Sequence, residues 1–86
     1  MQTTSNQPAT DSQNKKTAAV VFESAFFPGR EPRSKAYREG VLQTLQHRLD
    51  GTPYPPLPYR LGTAERDAYF SGMDEGHVLA RTAVGA

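Results

Sequence analysis

The sequence predicts a mainly α fold: two packed helices joined by a proline-rich connector, preceded by an apolar segment and a disordered polar tail. Three observations carry that expectation. Large apolar residues recur every four positions from Tyr37 to Leu49, as on one face of a helix. Prolines at 53, 55, 56 and 58 interrupt the chain where the first helix has to end. Small residues recur at the same four-residue spacing on both predicted helices.

Residues 1–17 hold Gln, Thr, Ser, Asn, Asp and Lys, with almost nothing to bury. No apolar surface offsets the entropy of ordering that backbone, so a disordered tail is expected, followed by a single small domain over residues 18–86. Lys15 and Lys16 within the tail read as solvated lysines. Residues 18–27, AAVVFESAFF, are the most apolar stretch. Alternation places Val20, Phe22 and Phe26 on one face as in a strand, yet Phe22 and Phe26 are also four apart as on a helix. Ten residues leave the two periods undecided, and Pro28-Gly29 ends the segment in both cases. The expectation is an extended segment covering the helices, whose free edge would be a route to a homodimer.

The first helix is expected over residues 34–50. Ser34 can accept from free backbone N–H groups in the first turn, and Gly51 suits a left-handed stop. Tyr37, Val41, Leu45 and Leu49 form its apolar stripe, widened by Leu42, and Arg48 complements the negative end of the helix dipole. Residues 52–62, TPYPPLPYRLG, lack four N–H donors and favour extended polyproline backbone, with Tyr54 and Tyr59 expected to pack back on the core. The second helix is expected over residues 63–81, capped by Thr63, with Glu65 in the first turn suiting the dipole. Its interior Gly72 and Gly76 each cost about 1 kcal/mol relative to Ala. Ala68, Gly72, Gly76 and Ala80 make a smooth ridge, matched on the first helix by Ala36, Gly40 and Thr44. Two such ridges let backbones approach closely, so a tightly packed helical pair is expected.

Composition narrows the function. The chain has 86 residues, a formal net charge of +1 and no cysteine, which excludes disulfides, thiolate metal sites and a Cys nucleophile. No apolar run approaches the roughly 18 to 20 residues that span a bilayer, and the N-terminal stretch lacks a signal-peptide core. A cytoplasmic protein without a membrane partner is therefore expected. His47 and His77 stand apart with no HExxH spacing, and the GxSxG elbow and GxxxxGK[ST] phosphate loop are both missing. Asp74 and His77 share a helix face while Glu75 points about 100° away, so a surface cluster is expected there rather than a metal or acid–base site. No catalytic residue, metal or cofactor is expected, and the chain reads as a non-enzyme.

Two binding patterns remain. Pro55-Pro56-Leu57-Pro58-Tyr59-Arg60 fits PxxPxR, a shape taken by SH3-type grooves, although a stiff brace between helices explains the same residues. Residues 30–66 carry Arg30, Arg33, Lys35, Arg38, Arg48, Arg60 and Arg66 against four acids, whereas residues 67–86 hold three acids and one Arg. Arginines beside tyrosines can grip phosphates and stack on unpaired bases, which makes structured RNA a candidate partner. The alternative is a protein partner that docks on the 18–27 segment or on the helix faces.

One arrangement of these residues resembles a known family. Ala36-Tyr37-Arg38-Glu39-Gly40 opens the first helix, Pro58-Tyr59 lies in the connector, and Ala68-Tyr69-Phe70-Ser71-Gly72-Met73-Asp74-Glu75 follows in the second helix. From Ala36 to His77 this resembles the ribosome modulation factor family. The resemblance implies a pair of helices joined by an ordered loop, and association with the small ribosomal subunit near the messenger-binding region. It implies structural roles for Tyr37, Gly40, Pro58, Tyr59 and Gly72. Taken with the charge pattern, it makes Arg33, Arg38, Arg60, Arg66 and Tyr59 the candidate RNA-binding residues. The chain departs from that family at Leu57, where the family has Cys, and at Tyr69 and Met73, where it has tryptophans. It is also almost neutral where the family is strongly basic.

Overall fold

The computed structural model describes residues 17–85. Three helices account for most of them: α1 (Ala18–Ala25), α2 (Lys35–Asp50) and α3 (Ala64–Gly85). The fold is mainly helical, and no strand occurs among the described residues. No helix there is long and apolar enough to cross a membrane. The expected disordered tail lies outside the described residues, apart from Thr17.

Thr17 belongs with the structured part. Its Oγ1 accepts from the Val20 N–H at 3.3 Å and caps α1. The extended segment expected over residues 18–27 is therefore a helix instead, ended at Phe26. The physical reason is twofold. A strand needs a neighbour to satisfy its backbone, whereas a helix pairs its own N–H and C=O groups. The two candidate faces also differ at Val20, which alternation groups with the phenylalanines. In the helix Val20 is 52% exposed, while Ala18 is buried and Val21, Phe22 and Phe26 face the core. Phe22 and Phe26 lie one turn apart with ring centroids at 4.7 Å. The strand edge that would have offered a pairing route is absent from this segment.

The ends of α2 follow the sequence. Ser34 Oγ accepts from the Tyr37 N–H at 3.1 Å, and Gly51 takes the left-handed conformation with φ 76°. That conformation is open to glycine at little cost, and it lets the Thr52 N–H bond back to the Gln46 carbonyl at 3.0 Å. Thr63 Oγ1 likewise accepts from the Arg66 N–H at 3.1 Å to start α3. That helix continues past Arg81, where the sequence expectation ended it. Thr82 bonds its hydroxyl to the Val78 carbonyl at 3.0 Å, an arrangement a helix accommodates, and no proline follows.

The seam between α2 and α3 is made of small residues. A Cβ added at Gly40 would collide with the Tyr69 carbonyl oxygen and sit 2.9 Å from the Met73 nitrogen. One added at Gly72 would collide in the same way with the Tyr37 carbonyl oxygen. The relation is reciprocal: each glycine presents a bare Cα to a carbonyl of the other helix. Such contacts contribute weak Cα–H···O attraction on top of dispersion. Gly76 comes next, where a Cβ would stand 2.8 Å from Thr44 Cβ. The ridges expected from four-residue spacing are thus the surfaces that meet. Val41 and Leu45 are fully buried beside them, and with Ala18 and Ala80 they form the core.

The order of these contacts gives the direction of α3. Tyr37 meets Gly72, Val41 meets Gly72 and Gly76, Thr44 meets Gly76, and Arg48 meets His77. Both residue numbers rise together, so α2 and α3 run in the same sense. The residues between them make the return trip. Tyr54 donates its hydroxyl to Thr44 Oγ1 at 3.1 Å and stacks on His47 with centroids at 4.4 Å. Further on, the Tyr59 hydroxyl donates to Glu39, and its ring lies 5.9 Å from that of buried Tyr69. Residues 51–63 thereby pass back beside α2 towards its first turns, without helix or strand of their own.

Candidate nucleic-acid interface

Because α2 and α3 run in the same sense, their N-terminal ends lie at the same end of the pair. Helix dipoles place partial positive charge there, and the side-by-side arrangement adds the two effects instead of cancelling them. The candidate residues gather at that end in two groups. Arg33 and Arg38 form one, on the loop before α2 and on its first turn. The Arg38 Nη1 donates to the Arg33 carbonyl at 2.7 Å, and the Arg33 guanidinium lies over the Tyr37 ring at 4.7 Å from its centroid. With Phe26, Phe27, Arg30 and Glu31 they line a shallow depression, in which one acid stands among the three arginines, and Phe27 is 54% exposed.

Tyr59, Arg60 and Arg66 form the other group. Arg66 donates to the Tyr59 carbonyl at 3.4 Å and covers the ring of Phe70, which is 43% exposed. Arg60 is exposed, and its carbonyl accepts from the Thr63 hydroxyl at 2.8 Å. Among the described residues no hydrogen bond joins the two groups. Glu65 and Asp67 in the first turn of α3 oppose the local positive charge, while Glu39 is engaged by the Tyr59 hydroxyl.

The four candidate arginines share a property that burial and distance make plain. The one ion pair among the described residues is Arg30–Glu75, so none of Arg33, Arg38, Arg60 and Arg66 is neutralised by an acid there. Each spends at most part of its guanidinium on a backbone carbonyl or an aromatic face. The remaining N–H donors stay available for phosphate oxygens, to which a guanidinium fork is well matched.

Arg30 has a different part. It bonds Glu75 through both nitrogens, at 3.1 and 2.9 Å, and also donates to the Ala25 carbonyl at 2.7 Å. Its guanidinium lies 4.3 Å from the Phe26 centroid. Glu75 accepts a further hydrogen bond from the Tyr37 hydroxyl at 2.6 Å. Burial pushes the Glu75 carboxyl upward, but the hydrogen bonds from Arg30 and Tyr37 outweigh it and hold the group below the usual carboxylate range. The Tyr37 phenol moves the other way, raised first by burial and then by the hydrogen bond to Glu75. The Tyr59 phenol is raised chiefly by its hydrogen bond to Glu39. Burial raises Tyr69.

Periodicity groups Asp74 with His77 and sets Glu75 aside, whereas the structure gives Glu75 the partners. A signal for this was present in the sequence. Glu75 stands next to Gly76 on the small-residue ridge, which brings it to the edge of the seam where Tyr37 emerges from α2. Nothing in the local pattern identified Arg30 as its partner, forty-five positions away. His77 meets Arg48 instead of Asp74: Arg48 Nη1 stands 3.2 Å from the His77 Nδ1, which accepts. His47 Nδ1 lies 3.0 Å from the Thr52 carbonyl, an acceptor only, so that nitrogen carries the proton. Among the described residues no three His, Cys, Asp or Glu side chains gather as a metal site.

The PxxPxR stretch is exposed from Pro55 to Arg60 except for Tyr59, which turns inward. No protein-family model, curated protein or solved structure compared with the chain matches it.

Proposed function

We propose that this chain is a small non-enzymatic bacterial protein that binds structured RNA, with the ribosome as its target, in the manner of the ribosome modulation factor family it resembles. The observation that supports this most directly is the shared direction of α2 and α3. It gathers two helix N-termini with Arg33, Arg38, Arg60 and Arg66 at one end, with none of the four in an ion pair among the described residues. Phosphates of a folded RNA would take the guanidinium donors, and exposed Phe27 and Phe70 stand beside them as surfaces for unpaired bases. In this reading the proline-rich connector is a brace: it carries Tyr59 back to Glu39 and sets Arg60 and Arg66 level with the start of α2.

Co-sedimentation with bacterial ribosomes tests the proposal. The protein is expected in the ribosomal pellet at low salt and in the supernatant as salt rises, because each phosphate contact releases counterions. A variant with Arg33, Arg38, Arg60 and Arg66 all changed to Ala should leave the pellet at every salt concentration. Wild-type protein that never enters the pellet refutes the proposal.

A second reading has its own observation. An open apolar groove runs between α1 and the last turns of α3, lined by Val20, Val21, Ala25, Leu79 and Ala83, with Val84 exposed beside it. Such a face suits a protein partner. Affinity capture with and without nuclease separates the two readings, since only RNA-bridged partners are lost on digestion.

A further inference from the structure

The loop over residues 26–34 presents Arg33, and it has little internal structure to fix where that side chain goes. Its own backbone contributes one turn bond, from the Arg30 N–H to the Phe27 carbonyl at 3.1 Å. The nine residues between the two helices include Pro28, Gly29 and Pro32, with Gly29 in the left-handed region at φ 97°. Anchorage to the helical body therefore falls to side chains, and Glu75 of α3 receives one from the loop and one from the first turn of α2. One is Arg30, in the middle of the loop, bound through both its terminal nitrogens. The other is Tyr37, whose hydroxyl reaches the same carboxylate while its ring carries the Arg33 guanidinium. Arg38 is tied in turn to the Arg33 carbonyl.

We infer that Glu75 is the positioning residue of the anion-binding end: an acidic side chain whose task is to hold Arg33 and Arg38 where they meet phosphate. This rests on the RNA-binding reading given above. Glu75 acts on Arg33 by two routes at once, through the loop backbone at Arg30 and through the ring of Tyr37. A carboxylate is needed because it accepts a bidentate guanidinium and a phenol together, which an amide with one acceptor oxygen does poorly.

The inference has an outcome opposite to simple charge counting. Removing an acid from a polyanion-binding protein ordinarily tightens binding. Here Glu75→Gln should weaken it: the net charge rises by one and Arg30 loses its ion pair, but Arg33 and Arg38 lose the support that holds them in place, which outweighs both gains. Binding of a fluorescently labelled RNA stem-loop with an unpaired loop, titrated across salt concentrations, reads both effects. For Glu75→Gln the affinity at low salt should fall roughly five- to ten-fold. The slope of log K against log salt should become shallower by about 1.4, two phosphate contacts in the unpaired loop at about 0.7 each. Tyr37→Phe keeps the ring beneath Arg33 but loses the hydroxyl donor, and should show a smaller loss in the same direction. Asp74→Asn removes the same charge from the neighbouring exposed position and should bind as tightly as wild type or slightly better, with its slope unchanged.

Hydrogen exchange supplies a readout that does not pass through RNA. The Arg30 amide should lose protection in Glu75→Gln while the amides of α2 keep theirs. If Glu75→Gln binds as well as wild type, or keeps its slope, or keeps Arg30 amide protection, the positioning role is overturned. If wild type shows no salt-dependent binding to either the stem-loop or ribosomes, the RNA-binding reading itself falls and takes this inference with it; if it binds ribosomes alone, the same comparison of Glu75→Gln with wild type is read by co-sedimentation.

Discussion

The seam between α2 and α3 and the seat of α1 are two solutions to holding helices together, and they tolerate error differently. The seam works by removal. Glycines at 40, 72 and 76 take side chains away until backbone meets backbone, and propensity is sacrificed at each of them. The seat of α1 works by attachment. An eight-residue helix is too short to persist alone in water. It is held by Val21, Phe22 and Phe26 against the core and by a polar anchor at each end. The Ala18 N–H donates to Asp50 Oδ1 at 3.2 Å at one end, and Arg30 donates to the Ala25 carbonyl at 2.7 Å at the other. The contrast teaches that a fold with few large residues divides its needs: close approach where two long helices must register, and side-chain anchors where a short one must merely stay.

The seam breaks first and hardest. Gly72→Val or Gly40→Val should cost about 3 kcal/mol or more, since a backbone carbonyl cannot step aside as a flexible side chain does. Even Gly40→Ala, which would gain about 1 kcal/mol on an isolated helix, should be destabilising here. Urea denaturation followed by far-UV circular dichroism measures both, and a stabilised Gly40→Ala would show that the helices do not approach as described. Next in size is Leu45→Ala, which empties the fully buried centre under all three helices and should cost about 3 kcal/mol by the same measurement.

The seat of α1 should answer more gently and locally. Thr17→Ala removes the cap and should cost about 1 kcal/mol. That loss should be visible as faster hydrogen exchange in α1 with the amides of α2 unchanged. Equal loss of protection in both helices would mean that α1 is part of the cooperative core.

Smallest and most graded is the response to pH. The Glu75 carboxyl is depressed when folded, so its contribution is present above the ordinary carboxylate pKa and is lost as pH falls through the lower folded value. The phenols of Tyr37 and Tyr59 are raised, so their contribution is complete below the ordinary value near 10 and is lost as pH rises through the higher folded one. Thermal melts should therefore show a plateau at neutral pH that declines on both sides. Glu75→Gln should flatten the acid limb, and Tyr59→Phe should flatten part of the alkaline limb.

Much of the seam was legible because its determinants are local and periodic. Ser34, Gly51 and Thr63 mark helix ends by chemistry that acts over three or four residues, and the small-residue ridges repeat at the helical period. Direction was not legible. Ridges at a four-residue spacing read the same whichever way the second helix runs, and only the contacts of Tyr54 and Tyr59 reveal the return path. α1 was ambiguous because Phe22 and Phe26 satisfy both periods, and the deciding fact, an exposed Val20, is a property of packing. At the candidate interface the arginines were nominated by the charge pattern together with the family resemblance. Their support could not be, because Arg30, Tyr37 and Glu75 come from three separate stretches and meet only when the chain has folded.

The return path carries a consequence for chain length. An α2 of 16 residues is about 24 Å long, and extended polyproline backbone over residues 51–63 reaches about 40 Å. The connector therefore has reach to spare for its journey, whereas antiparallel neighbours commonly need only a loop of about 2–5 residues. Length works here as a topological determinant. Trimmed to a tight turn, the same two helices could be joined only head to tail. Gly72 would then face a different stretch of α2, and Arg66 would move to the far end of the molecule from Arg38. The apparent excess of proline-filled sequence without helix or strand is what lets both helices point the same way.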